Sequence, residues 1–182
     1  MIDLGQAFAQ ALPGRVVYST ELVPGETDFR AVIARIKAVR ADAVYNVLLP
    51  GGAGLFAKQL REMGYEGELF SAHGVDDWNE VVVSRGALVG TWFVTGNVVE
   101  DPGFAKRYQE VFHDVPRVAT ANGYDAAKLF ITAAHVPDIN QFLHELKSFR
   151  GVMGSYKLNP AGYFELPAAL RKVVENGFVP LH

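Results

Sequence analysis

Apolar stripes at helical spacing alternate with short apolar runs through the first two thirds of the chain, and this alternation restricts the fold more than any other feature. Phe29, Val32, Ile33, Ile36 and Val39 fall at i, i+3, i+4 and i+7 intervals, so they predict an amphipathic helix, with Thr27 or Asp28 as its cap. Ala43 to Leu49 is a nearly continuous apolar strand, followed by Pro50-Gly51-Gly52-Ala53-Gly54 and a helix carrying Leu55, Phe56, Leu60 and Met63 up to Gly64. Glu68 to Ala72 reads as a strand, His73 to Asp77 as a loop, Trp78 to Val83 as a helical turn and Leu88 to Thr95 as a strand. Repeated units of this kind feed a mainly parallel sheet with helices on both faces, an α/β architecture.

Ahead of these units, Met1 to Leu12 reads as a helix with Leu4, Phe8 and Leu12 on one face, stopped by Pro13-Gly14, and Arg15 to Leu22 as a strand. A helix of a doubly wound sheet normally follows a strand. The expectation is therefore of a chain cut inside its fold, with one sheet edge open. Beyond Gly96 the pattern changes, because Phe104 to Phe112 and Thr120 to Ala134 are helical without an intervening strand. Gln141 to Phe149 is expected as a short helix, Gly151 to Tyr156 with Tyr163 to Leu166 as a hairpin around Asn159-Pro160-Ala161-Gly162, and Val173 to Val179 as a closing strand interrupted at Asn176-Gly177.

Composition narrows the function classes. A formal charge of −3 with scattered Lys and Arg offers no basic stripe for nucleic acid. No cysteine is present, which excludes disulfides, Cys-ligated zinc and thiolate chemistry. No uncharged run is long enough to span a bilayer, and Met1 to Leu12 lacks the basic start of a signal peptide, so a secreted protein would carry its signal elsewhere. His113, His135, His144 and His182 are dispersed, so no metal site is expected. Glu62, Glu66 and Glu68, like Asp76 and Asp77, read as solvated charges, and no catalytic constellation stands out.

The combination of Gly25-Glu26-Thr27-Asp28-Phe29 before a helix, Val44-Tyr45 before a glycine-bearing turn and Leu60-Arg61-Glu62-Met63-Gly64-Tyr65 closing a helix carries a resemblance. The Gly86 to Thr95 stretch, Phe104 to Phe112, Gly123-Tyr124-Asp125-Ala126 and Gly151-Val152-Met153-Gly154 extend it. In this order they resemble the type I periplasmic solute-binding proteins, the branched-chain amino-acid and amide receptors of ABC transporters. The resemblance runs over the whole chain but covers only the later part of that family's length. It implies a second lobe over residues 1–95 lacking its first strand, a helical and hairpin part of the first lobe over 96–166, and a closing strand over 167–182 that returns to the second lobe. It also implies a receptor in the periplasm or anchored outside the cell. Such a receptor closes two hinged lobes on a small molecule and docks on a membrane permease, with no cofactor and no bond made or broken.

In open α/β sheets ligands sit outside the carboxyl ends of the strands, here the turn Leu48 to Gly54 and the loop His73 to Asp77. Candidate ligand contacts are Leu48, Leu49, Gly51, Gly52, His73, Gly74 and Asp76. Gly51 and Gly52 permit close backbone approach, and free N–H groups at the following helix start suit a carboxylate; the alternative is a plain βα turn. His73 stands where the resembling receptors commonly carry an acid that pairs with a ligand ammonium, unless it is only an exposed loop histidine. A neutral imidazole supplies no fixed negative charge. Unless Asp76 or Asp77 substitutes, the ligand shifts from an α-amino acid toward an amide or an aromatic or aliphatic carboxylate. Half of such a pocket would come from the absent lobe segment, so these residues alone are expected to bind weakly or not at all. Leu48 and Leu49 are wall or core, Trp78 a pocket cover or a helix anchor, and Tyr124 and Asp125 anchors of a hinge-side helix.

Two other readings compete. Gly52-Ala53-Gly54-Leu55-Phe56-Ala57 satisfies the G-x-G-x-x-A dinucleotide fingerprint directly after a strand, but the following strand ends in Ser71-Ala72-His73 without the ribose-binding acid. A ligand-sensing domain of a signalling or regulatory protein would share the same fold.

Overall fold

The structure, a computed structural model, describes residues 4–12, 14–96, 101–114, 116 and 118–181. The expected helix start at Met1, its stop at Pro13 and the last histidine, His182, lie outside the described residues. Contacts divide the chain into two compact units, one within Met1–Thr95 and Leu170–His182, the other within Gly96–Ala169. Among the described residues no helix is long and apolar enough to cross a membrane.

The first unit is built on β1 (Ala43–Asn46), β2 (Glu68–Ser71), β3 (Trp92–Gly96), β7 (Ala168–Val174) and β8 (Gly177–Pro180), in the order β1-β2-β3-β7-β8. β1, β2 and β3 run parallel, with Ala43 opposite Glu68 and Phe70 opposite Trp92. Helices α1 (Leu4–Ala11), α2 (Arg30–Ala38), α3 (Ala53–Glu62) and α4 (Trp78–Ser84) belong to the same unit. The stripe of α2 is buried at Phe29, Ile33 and Ile36, which join Phe56, Leu60, Leu69 and Phe93 in one core with Val32 packed against it, whereas Val39, beyond the end of the helix, is exposed. Each such side chain contributes roughly 1.5–3 kcal/mol on burial. Phe29 and Phe56 meet edge to face at 5.4 Å between centroids.

Three expectations are corrected in this unit. Arg15 to Leu22 forms no strand among the described residues; Tyr18 and Leu22 pack on the core while Val16 and Val17 stay half exposed. A strand needs a neighbour to take its N–H groups, and apolar content alone does not supply one. Phe29 rather than Thr27 or Asp28 occupies the cap position of α2, although the Asp28 carboxylate still accepts the Arg30 N–H at 3.2 Å; Gln59 of α3 accepts the Phe29 N–H at 2.9 Å and donates to the Thr27 carbonyl at 2.8 Å. The closing strand is a hairpin, because Glu175-Asn176 turns β7 into antiparallel β8, with Val173 opposite Phe178.

The second unit holds α5 (Pro102–Phe112), α6 (Val118–Ala133), α7 (Ile139–Glu145) and the antiparallel strands β4 (Ser148–Gly151), β5 (Gly154–Leu158) and β6 (Phe164–Glu165). The expected hairpin around Asn159 to Gly162 is present as β5 and β6. A second one precedes it, and it takes Phe149 out of the expected helix over Gln141 to Phe149: Phe149 lies opposite Tyr156 in the ladder. Asp125 of α6 holds that turn. Its buried carboxylate accepts the Val152 N–H at 2.6 Å, the Met153 N–H at 3.0 Å and the Tyr156 hydroxyl at 2.9 Å, and a Cβ at Gly151 would collide with it.

Burial, followed by the hydrogen bond to the Asp125 carboxylate, raises the Tyr156 phenol above its ordinary value. A raised folded value means that this contribution is fully present below the free-phenol value of about 10 and is lost as pH rises beyond it. Denaturation from pH 8 to 11.5 should therefore show the wild type losing stability at the alkaline end more steeply than Tyr156→Phe; parallel curves would refute the coupling.

Candidate functional site

The parallel ladder fixes where β1 and β2 stop together, with Asn46 opposite Ser71. The Asn46 carbonyl accepts the Ser71 hydroxyl at 2.9 Å and the Ala72 N–H at 3.2 Å, and its side-chain oxygen accepts the Leu48 N–H at 2.8 Å. These bonds turn both chains off the sheet at the same level. The loop after β1 carries Leu48, Leu49, Gly51 and Gly52; the loop after β2 carries His73 and Gly74 on a 3-10 turn over His73–Val75, with Asp76 directly after it. Gly74 is buried with its backbone against the Leu48 carbonyl, so closely that any Cβ would overlap that oxygen. Leu48 is thus brought together with Gly74, backbone to backbone, at the carboxyl edge of the sheet.

The α3 N-terminus departs from expectation. Glu80 of α4, only 4% exposed, inserts its carboxylate there, accepting the Gly51 N–H with one oxygen and the Gly54 N–H at 2.7 Å with the other. The Gly52 N–H donates to the Leu49 carbonyl at 3.1 Å. The donors expected to be free for a ligand carboxylate are therefore occupied at Gly51, Gly52 and Gly54. The same contact removes the basis of the dinucleotide fingerprint, since Gly54 serves the close approach of the Glu80 backbone instead of a pyrophosphate.

Asp76 also differs from its reading as a solvated charge. Its side chain is 6% exposed and accepts the Thr95 hydroxyl at 2.7 Å and an Arg171 N–H at 3.3 Å. Asp77 caps α4 through the Asn79 N–H at 2.9 Å. Leu49 and His73 are exposed, Leu48 packs partly on the core, and Trp78 is 42% exposed and meets Phe178 in a T-shaped contact. Glu80, Thr95 and Arg171 were not singled out by sequence reasoning. For Glu80 a signal existed, because it shares helical spacing with buried Val81 and Ser84 and so lies on the inward face of α4. Among the described residues no group of three or more His, Asp or Glu is placed to hold a metal. In the second unit a cleft of about 160 Å³ lies between Leu129, Phe149, Tyr156 and Phe164, over an Asp125 whose oxygens are already bound.

A family model described as periplasmic binding protein matches residues 1–174. The chain belongs to that family. A Leu/Ile/Val-binding protein homologue from Brucella suis is 24% identical over 163 residues, which are 84% of this chain and 44% of that protein. The chain thus spans less than half the length of this periplasmic binding protein relative. Solved structures share the type I fold. An isoleucine-bound branched-chain amino-acid transporter substrate-binding protein from Streptococcus pneumoniae superposes with a TM-score of 0.78 at 21% identity, covering 97% of this chain and 56% of that one. A benzoate-bound solute-binding protein of an ABC transporter from R. palustris gives 0.75 at 22% identity, covering 92% and 50%.

The Gly74 contact separates two substitutions of similar chemistry. Gly74→Ala should destabilise by about 1–3 kcal/mol or more, because backbone must move to admit the methyl group. Gly52→Ala should cost less than about 1 kcal/mol, since its nearest neighbour would lie at 3.6 Å and its φ is −117°. Chemical denaturation of both variants checks the order; equal losses would contradict the packing described.

Proposed function

We propose that this chain is part of the extracytoplasmic solute-binding component of an ABC transporter. It works in the periplasm or anchored outside the cell and delivers a small molecule, held between two hinged lobes, to a membrane permease. It binds without making or breaking a bond. The observation that carries this reading is the pair of loops joined at the Gly74–Leu48 contact on the carboxyl edge of parallel β1 and β2, the place where open α/β sheets receive ligands. Membership of the periplasmic binding protein family and the isoleucine and benzoate held by structural relatives support it.

The chemistry of this edge favours one part of the ligand range. Leu48, Leu49, Gly51, Gly52, His73 and Gly74 present an apolar wall, backbone and an imidazole in place of a carboxylate, while Asp76 is engaged by Thr95 and Arg171. A ligand ammonium finds no uncommitted carboxylate here, and with Glu80 seated on α3 a ligand carboxylate finds no reception at Gly51 or Gly54. The ligand turns an apolar or aromatic body toward this edge, and its charged group is bound elsewhere. An aromatic or aliphatic carboxylate, or an amide, fits better than an α-amino acid.

Thermal-shift screening of the protein at its full natural length, with benzoate, aliphatic acids, amides and leucine, tests the reading. A true ligand at ~100 times its dissociation constant should add about 2.7 kcal/mol. The ligand should be recovered unchanged, and benzoate-like acids should outrank leucine. No shift with any class, together with turnover of a substrate, would sink the receptor role.

His73→Glu gives a sharper check of the ligand class. Restoring a fixed acid should move preference toward leucine by roughly tenfold, about 1.4 kcal/mol. An unchanged preference, measured by calorimetry, would remove His73 from the site.

A further inference from the structure

We infer that Asp76 is a positioning residue that latches the solute-side loop to both strands by which the chain passes between its two units. The chain leaves the first unit after Thr95, at the end of β3, and re-enters it at Leu170, within β7. One carboxylate grips both passages. Oδ2 of Asp76 accepts from Thr95 Oγ1 at 2.7 Å, on the last residue before the departure, and Oδ1 accepts from Arg171 Nη1 at 3.3 Å, one residue beyond the return.

The surroundings make this arrangement stiff. The Asp76 N–H donates to the His73 carbonyl at 3.0 Å, which fixes the carboxylate relative to the 3-10 turn. The Arg171 guanidinium lies over the Phe178 ring at 5.4 Å, and that ring is packed edge to face against Phe93 at 5.3 Å, so the cation is held as well. The Asp76 side chain is 6% exposed and that of Arg171 31%. A buried carboxylate that loses a partner is left with an uncompensated desolvation penalty. Twisting either passage strand away from the loop therefore meets resistance at Asp76, and a displacement of the loop by a solute is felt at both strands.

The link to solute rests on the reading of His73 to Asp76 as solute-facing; the latch on the two passages does not. The two therefore fail separately. Spin labels at Glu62→Cys on α3 and Lys106→Cys on α5, exposed helical positions one in each unit, report the distance between units in the full-length protein without solute. Asp76→Asn, Thr95→Val and Arg171→Gln should each broaden the distance distribution or add a second population. The Asp76→Asn/Arg171→Gln double variant should resemble Asp76→Asn alone, because the groups act as one. Near-ultraviolet circular dichroism identifies variants that keep their fold, and the milder Thr95→Val and Arg171→Gln substitutions stand in if Asp76→Asn does not.

For benzoate or leucine, whichever binds the wild type, affinity should fall roughly fivefold or more in the Asp76 variant, the lower end of ordinary coupling between sites. Unchanged distance distributions in folded variants would overturn the latch whether or not any solute is found. Broadened distributions with unchanged affinity would confine the role of Asp76 to the passages and overturn its coupling to solute.

Discussion

The first unit depends on a carboxylate buried at the start of a helix. Glu80 carries its carboxylate into the interior, where backbone receives it: the Gly51 and Gly54 N–H groups at the positive end of the α3 dipole. That interaction sets the separation of α3 and α4, requires glycine at position 54 and fixes the turn after β1. A neutral side chain there would leave the donors of α3 unpaired inside the protein, where each costs on the order of 1–3 kcal/mol.

The same interaction decides which backbone donors the α3 N-terminus leaves free. An anion-binding helix end is among the most general ways a protein has of holding a carboxylate, and here the protein supplies the carboxylate itself. At the carboxyl edge of β1 and β2, Leu49 and His73 stay exposed beside the backbone of the two loops. A loop sequence rich in glycine thus spends its donors internally, at Gly51, Gly52 and Gly54.

Legibility in the sequence followed the range of the forces involved. The α2 stripe and the order of β1, α3 and β2 were readable because burial periodicity is local. Arg15 to Leu22 misled because strand formation depends on a neighbour that an apolar run cannot announce, and Phe149 misled because its partner Tyr156 lies across a turn made possible by Asp125. The loops of the candidate site were placed correctly on the sheet edge, but the commitments of their charged residues were not legible. Glu80 meets Gly51 and Gly54 across 29 and 26 residues, and Asp76 meets Arg171 across 95, distances over which residue type carries no record of pairing.

Backbone-on-backbone contact between Gly74 and Leu48 also has a mechanical meaning. A contact between side chains absorbs movement by changing rotamers, whereas two peptide groups pressed together have no such slack. The rim formed by the two loops therefore behaves as a single solid lip. Whatever flexing the first unit undergoes is concentrated away from that lip, in segments that lack a comparable weld.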